Sequence, residues 1–329
     1  MRVLVTGGAG YIGSHAVKEL LKAGHRVTVL DNLSRGHRAA VSGAKFIAAD
    51  LAAGDFLADL LQAEKIGAVM HFAASSLVGE SVENPAAYYR NNVVNGLALL
   101  EAVRKAGVPY FVFSSTAAVY GEPRTVPIPE NHPALPTSPY GATKLAMEEA
   151  LAWYSRAYGL KYISLRYFNA AGADPGGELG EDHDPETHLI PLVLKVALGQ
   201  LPAVRVFGND YPTPDGTCVR DYIHVTDLAR AHALALAALA AGKEPAVYNL
   251  GGGNGHSVLE VIETARRVTG RRLPVIFTAR RPGDPAVLVA SAEKIKRELG
   301  WQPQFTDLPT IIETAWRWHR ENPRGYPKG

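Results

Sequence analysis

The sequence predicts an α/β fold, a doubly wound parallel sheet followed by a smaller mixed α/β domain. Short β-branched runs alternate with helical stretches, the pattern of parallel βαβ units joined by right-handed crossovers. A turn spaced Gly7-x-x-Gly10-x-x-Gly13 links the first strand to the first helix. Asp31 closes the second strand 18 residues after the last of those glycines. Together these features predict a dinucleotide-binding Rossmann sheet, with a diphosphate at the positive end of the first helix and a carboxylate on the ribose hydroxyls.

The first strand is Arg2–Thr6, and a helical pattern follows over Ser14–Ala23. The second strand, Arg26–Leu30, delivers Asp31, whose charge repels a 2′-phosphate; NAD is therefore expected over NADP, although Arg35 and Arg38 follow closely. Strands continue at Lys45–Ala48, Ala68–Phe72, Tyr110–Phe113 and Tyr162–Tyr167. Helices are expected near Gly54–Ala63, over Pro85–Ala106, and from the N-cap Ser138 and Pro139 to about Tyr158. Ligands of such sheets lie beyond the carboxyl ends of the strands. Asp50 and Leu51 are placed there to flank an adenine, and Phe72, Ala73 and Ala74 to leave room for a cofactor. Ser114, Ser115 and Thr116 follow the fifth strand, and the sixth ends in Phe168-Asn169.

Beyond Asn169 a Gly/Pro-rich loop marks a boundary, giving a first domain at 1–172 and a second at 173–329. The second mixes helices (Leu189–Leu198, Val258–Val268, Ala292–Leu299, Thr310–Glu321) with short strands (Val204–Phe207, Val247–Leu250, Val275–Phe277). Part of 220–250, the run Arg220–Val225 and the helix Thr226–Ala241, is expected to return to the first domain's sheet.

With 329 residues, 47% of them hydrophobic, the chain can bury a large core. Its 34 basic and 32 acidic residues nearly cancel, so no charged stripe recommends nucleic acid. No apolar run approaches the ~20 residues that span a bilayer, and no signal pattern opens the chain. The single cysteine, Cys218, forms no internal disulfide. A cytoplasmic protein with partners held in pockets is expected. No metal-ligand spacing of His, Cys, Asp and Glu stands out, so no metal is expected.

Tyr140 and Lys144 stand one helical turn apart and share a helix face. Free tyrosine titrates near ~10, and bringing it to about 7 takes about 4 kcal/mol of preference for the phenolate. A fixed cation supplies part of that. The Tyr-x-x-x-Lys spacing resembles the catalytic pair of the short-chain dehydrogenase/reductase superfamily, and that resemblance implies a proton-exchanging role for Tyr140, with Thr116 expected at the same cleft.

Eight stretches carry a more specific resemblance. They are Thr6–His15 (TGGAGYIGSH), Asp31–Ser34 (DNLS), Val78–Ser81 (VGES), Ser114–Gly121, Tyr140–Lys144, Leu165–Asn169 (LRYFN), Phe207–Asp210 (FGND) and Gly216–Val225 (GTCVRDYIHV). In this order they resemble the UDP-glucose 4-epimerase family of the extended short-chain dehydrogenase/reductases. The resemblance implies a homodimer holding NAD that is not consumed, with UDP-glucose and UDP-galactose as substrates. It implies catalysis by Tyr140, Lys144 and Thr116. The implied cofactor positions are Gly7, Gly10, Tyr11, Ile12, Gly13, Asp31, Asn32, Ser34, Asp50, Leu51, Phe72, Ala73, Ala74, Asn91, Ser114, Tyr167 and Phe168, besides the catalytic pair. The UDP-sugar falls to Phe168, Asn169, His188, Leu189, Val206, Phe207, Arg220, Tyr222, Arg281, Asp284 and Leu288, with Thr116 and Tyr140. The family's dimer helices correspond to Pro85–Ala106 and Ser138–Tyr158.

Some positions depart from the family. Ser75 and Ser76 stand where many members carry a lysine, and His188 where others carry asparagine. Leu288 takes the place of a bulky tyrosine or a small residue, so N-acetylated UDP-hexosamines are candidate substrates. Related dehydratases need a carboxylate after the strand-five Ser/Thr to expel a hydroxyl, and this chain has Ala117 and Ala118 there. A UDP-glucuronate epimerase is the weaker alternative, and retention of both Tyr140 and Lys144 argues against a non-catalytic NAD sensor.

Overall fold

The computed structural model describes residues 1–281 and 284–327. The chain begins with β1 (Arg2–Thr6), α1 (Tyr11–Lys22), β2 (Arg26–Asp31), β3 (Lys45–Ala48), α2 (Gly54–Ala63) and β4 (Ala68–His71). Next come α3 (Val78–Glu83), α4 (Pro85–Tyr88), a π-helical turn over Tyr89–Val94, α5 (Asn95–Ala106) and β5 (Tyr110–Thr116). The helix expected over Pro85–Ala106 is therefore divided by a π turn. Such a turn adds a residue to the helical circuit and redirects side chains. Here Asn91 and Asn92 both turn toward Ser75. α6 (Pro139–Tyr158) starts where Ser138 Oγ accepts the Gly141 N–H at 3.2 Å, and Gly159 ends it in the left-handed region.

The remainder comprises β6 (Lys161–Tyr167), β7 (Asn169–Ala171), α7 (Leu189–Ala197), β8 (Val204–Phe207), β9 (Val219–His224), α8 (Val225–Ala240) and β10 (Ala246–Leu250). It closes with β11 (Gly255–Ser257), α9 (Val258–Thr269), β12 (Val275–Thr278), β13 (Val287–Leu288), α10 (Glu293–Leu299) and α11 (Leu308–Glu321).

The main sheet runs β10-β6-β5-β4-β1-β2-β3, with every neighbouring pair parallel. Both faces are buried, as a parallel sheet demands. Side chains alternate between them: Val3 and Val5 join Val17, Leu20, Leu228 and Leu236 on one face, and Leu4 joins Leu57, Leu99 and Leu151 on the other. α8 packs beside α1. β9 differs from expectation, because it pairs with β7, β11 and β13 in a separate small sheet; only the helix after it and β10 lie on the main sheet. A third apolar cluster, including Ile190, Leu194, Val261, Ile262 and Ile312, backs this smaller sheet. Among the described residues, no helix is long and apolar enough to cross a membrane.

Candidate active site

The glycine turn is built for close approach. Gly7 has φ +72°, and a Cβ there would lie 2.5 Å from the Ala73 amide nitrogen; one on Gly13 would lie 2.1 Å from the Gly7 carbonyl oxygen. Gly10 caps α1 without a side chain, and no acidic residue occupies its first turn, so the helix's positive end is left for an anion. Asp31 accepts the Ala9 N–H at 3.0 Å and the Leu33 N–H at 2.8 Å, one on each carboxylate oxygen. Each oxygen keeps a lone pair for a ribose hydroxyl. Asn32 donates to Asp50 at 2.6 Å and accepts the Ser34 N–H at 3.0 Å, so these three form one rim. Leu51 and Ile12 pack against the apolar clusters on opposite faces of the sheet. The residues fit a dinucleotide with an unphosphorylated ribose.

At the far end of this cradle, α6 carries Tyr140 and Lys144, both buried. Lys144 Nζ donates to the Ser114 carbonyl oxygen at 2.8 Å and lies 5.0 Å above the Phe113 ring. Burial lowers its pKa to about 7. Burial also raises the Tyr140 phenol, which a hydrogen bond with Thr116 partly offsets. For the phenol, burial outweighs the hydrogen bond that favours its ionised form. Thr116 Oγ1 also accepts the Ala118 N–H at 3.1 Å, which fixes its hydroxyl at the end of β5. Ser114 Oγ and the Tyr167 hydroxyl hydrogen-bond to each other, and burial raises the Tyr167 phenol.

Several of the residues expected to hold the UDP-sugar lie on or beside the smaller sheet. Arg220 on β9 donates to the Val219 and Pro285 carbonyls at 2.9 Å and lies 3.5 Å from Asp284. Leu288 is its register partner on β13, and Asn169 on β7 pairs with Tyr222. Arg281 covers the Phe207 ring at 3.9 Å. Phe168 donates its N–H to Leu250, joining β6 to β10. Leu189 opens α7, and His188 before it contacts Glu181. The Tyr11 hydroxyl donates to the Gly172 carbonyl at 2.7 Å.

Three of the expected contact residues have partners within the protein. Tyr222 and Val206 belong to the third apolar cluster, where alternation along their strands directs them. The Asn91 amide donates to Ser75 Oγ at 3.2 Å and to Asn92 at 3.1 Å. Ser75 is thereby held in the loop after β4.

Sequence reasoning missed several supports. Asn92 clamps the Ser75 backbone at 2.8 and 3.0 Å and donates to Thr143 at 3.1 Å. His71 shares a 2.7 Å hydrogen bond with Thr6, and burial beside the Lys144 charge depresses it to about 3. Glu148, one turn beyond Lys144, accepts from Ser115 and pairs with Arg166, whose Nη1 donates to Tyr120 at 3.0 Å. Its i+4 spacing from Lys144 was the available signal. Glu181, His183, Glu186 and His188 also converge in one loop.

Comparison with known proteins places these features in context. The model of the NAD dependent epimerase/dehydratase family matches residues 3–251. A UDP-glucose 4-epimerase from Halalkalibacterium halodurans is 54% identical over 326 residues, covering 99% of this chain and 98% of its own. The solved UDP-glucose 4-epimerase of Brucella ovis, in complex with NAD, superposes with a TM-score of 0.93 at 50% identity, over 96% of this chain and 97% of that one. The enzyme from Bifidobacterium longum, in complex with NAD+ and UDP, gives 0.94 at 39% identity, over 99% and 100%.

Proposed function

This chain belongs to the NAD dependent epimerase/dehydratase family, and from that premise we propose that it interconverts UDP-glucose and UDP-galactose at sugar carbon 4 with NAD as resident cofactor. The observation that carries this reading is the buried Tyr140–Lys144 pair on one face of α6, beside Thr116 and at the end of the glycine cradle. NAD, when bound, supplies a hydride acceptor and donor and a positive charge.

Tyr140 takes the proton of the sugar 4-hydroxyl and later returns one to the same oxygen. Thr116 Oγ1 orients that oxygen, and its hydrogen bond to the phenol lowers the Tyr140 pKa against the effect of burial. Inverting carbon 4 needs a firm hold on the nucleotide and a loose one on the hexose, so that the keto sugar can present either face. Arg220, held by the Val219 and Pro285 carbonyls, suits the diphosphate, because a guanidinium donates bidentately. Ala117 and Ala118 follow Thr116, so no carboxylate stands there to drive loss of the 6-hydroxyl. Leu288, half-buried against Phe168, supports N-acetylated UDP-hexosamines as additional substrates; no turnover of saturating UDP-N-acetylglucosamine would remove them.

A homodimer in the cytoplasm completes the proposal. Its support is the apolar surface on the two candidate helices, with Val94 60%, Trp153 65% and Tyr158 59% exposed. The catalytic reading is tested by incubating the purified protein with UDP-galactose, without added NAD, and following products by proton NMR. UDP-glucose should appear with no net NADH. Unchanged substrate, in protein shown to contain NAD, would overturn it.

A further inference from the structure

The loop between β7 and α7 carries Glu181, His183, Glu186 and His188, in the spacing Glu-x-His-x-x-Glu-x-His. One ligand atom from each side chain lies within 4.8 Å of the other three. Nδ1 of His183 is 3.3 Å from Glu181 Oε1, and Nδ1 of His188 meets the same oxygen. Glu186 Oε2 lies 3.8 Å from His183 Nδ1. The Glu186 side chain is only 2% exposed, and Oε2 is buried with no hydrogen-bond partner among the described residues. Its other oxygen accepts the N–H groups of Thr187 and His188 at 2.7 and 2.8 Å, which fixes the carboxylate with its bare oxygen facing the cluster. A desolvated carboxylate oxygen is unfavourable unless a cation meets it, and among the described residues the only basic group in ion-pair range of Oε2 is the His183 imidazole, 3.8 Å away and beyond hydrogen-bond distance.

We propose that Glu181, His183, Glu186 and His188 hold one zinc ion. Two imidazole nitrogens and two carboxylate oxygens make the four-coordinate set that zinc accepts. The two nitrogens argue against calcium or magnesium, which take oxygen ligands. Two carboxylates neutralise the dication. Four protein ligands close its coordination shell, so the ion is structural. Hydrogen bonds from Thr187 and His188 orient the Glu186 ligand as second partners of metal sites do.

The ion would fasten two parts of the molecule that meet at the cleft. The His183 ring stands edge-on to Tyr11, the first residue of α1, with centroids 6.2 Å apart. His188 immediately precedes α7 and caps it without a side-chain hydrogen bond. Zinc at the cluster thus links the loop to the glycine-turn helix and to the start of α7. The spacing escapes a sequence search because the donors are mixed and packed into one short loop, unlike paired Cys-x-x-Cys or His-x-x-x-His signatures.

This inference goes beyond the epimerase reading and does not depend on it. The full-length protein is stripped with a chelator, dialysed and titrated with Co2+ and then Zn2+. One Co2+ per chain should bind with the visible spectrum of a four-coordinate nitrogen–oxygen site, and one equivalent of Zn2+ should displace it. The thermal midpoint should fall on stripping and recover with zinc. Glu186→Gln keeps the acceptor for Thr187 and His188, and it should weaken Co2+ binding by about 100-fold or more with an unchanged far-ultraviolet spectrum, since even outer partners of a metal cost 10–100-fold. Folded wild-type protein that takes up no stoichiometric cobalt or zinc would overturn the proposal, as would a Glu186→Gln variant that binds as tightly as wild type. None of these readouts involves turnover, so failure of the metal site and failure of the catalytic reading are distinguishable.

Discussion

Lys144 Nζ donates to the carbonyl oxygen of Ser114 across 2.8 Å, fastening the cation of α6 to the end of β5. Its charge is thus fixed in place, yet the same burial that fixes it brings its pKa to about 7 and raises the Tyr140 phenol. A phenol and an ammonium on one helix face do not by themselves make a phenolate. The proposed base must draw on the whole site.

Removing only the phenolic oxygen isolates the proton-exchanging role. Tyr140→Phe is expected to lower kcat by about 10²–10⁴-fold while retaining NAD. Steady-state turnover and the cofactor released on denaturation measure the two effects. Near-normal turnover would show that the proton leaves by another route.

Asp31 accepts two backbone N–H groups and still presents its charge to the cofactor rim. Asp31→Ser should reduce the preference for NAD over NADP by about tenfold or more, the equivalent of about 1.4 kcal/mol. Titration of both nucleotides into cofactor-stripped protein gives the ratio. An unchanged ratio would assign the discrimination to other residues, with Arg35 the first to test.

Arg166 and Glu148 form a buried ion pair, 8% and 6% exposed, tying β6 to the helix that bears Tyr140 and Lys144. Arg166→Leu leaves Glu148 buried without its partner and should destabilise the fold by about 3–5 kcal/mol. Urea unfolding of the two proteins is the measurement, and a loss below 1 kcal/mol would mean that Ser115 alone satisfies the carboxylate.

His232 lies against Phe72 and Tyr167, with centroids 4.7 and 6.0 Å away, and burial lowers its pKa to about 4. Its folded value is below its unfolded value of ~6.5. Between those values the unfolded chain binds the extra proton, so stability is lost as pH falls from about 6.5 toward about 4. The slope contributed is about 1.4 kcal/mol per pH unit. His232→Leu should lose less stability than wild type between pH 7 and 5, as read from urea midpoints. Parallel pH profiles would contradict this assignment.

How far the sequence foretells the structure depends on whether a feature is local. Strands β1 to β6 are legible because Val, Ile, Phe and Tyr runs alternate with helices over short distances, and the Ser138 cap is legible because its hydrogen bond spans three residues. The π turn at Tyr89–Val94 is not, since it depends on Asn92 finding Ser75 and Thr143. The partners of β9 are equally hidden: Arg220–Val225 resembles any buried strand, and only the folded chain brings Asn169–Ala171 and Val287–Leu288 beside it. In the site, the glycines, Asp31, Tyr140 and Lys144 carry recognisable spacing. The Glu181–His188 cluster does not, and Glu148 shows only its helical spacing from Lys144 while its Arg166 partner comes from strand β6.

The position of β10 bears on how the molecule is made. The β6 edge pairs with Ala246–Leu250, and the α1 flank packs against α8, both supplied more than 50 residues after Gly172. A nascent chain ending near Gly172 therefore displays an unpaired strand edge and an apolar helix flank, two features that favour aggregation. Expression of residues 1–172 alone should give insoluble protein, whereas a chain extended through Leu250 should gain solubility. The ribosome must deliver the eighth helix and tenth strand before the nucleotide fold can close, so the window of exposure during synthesis is set by this topology.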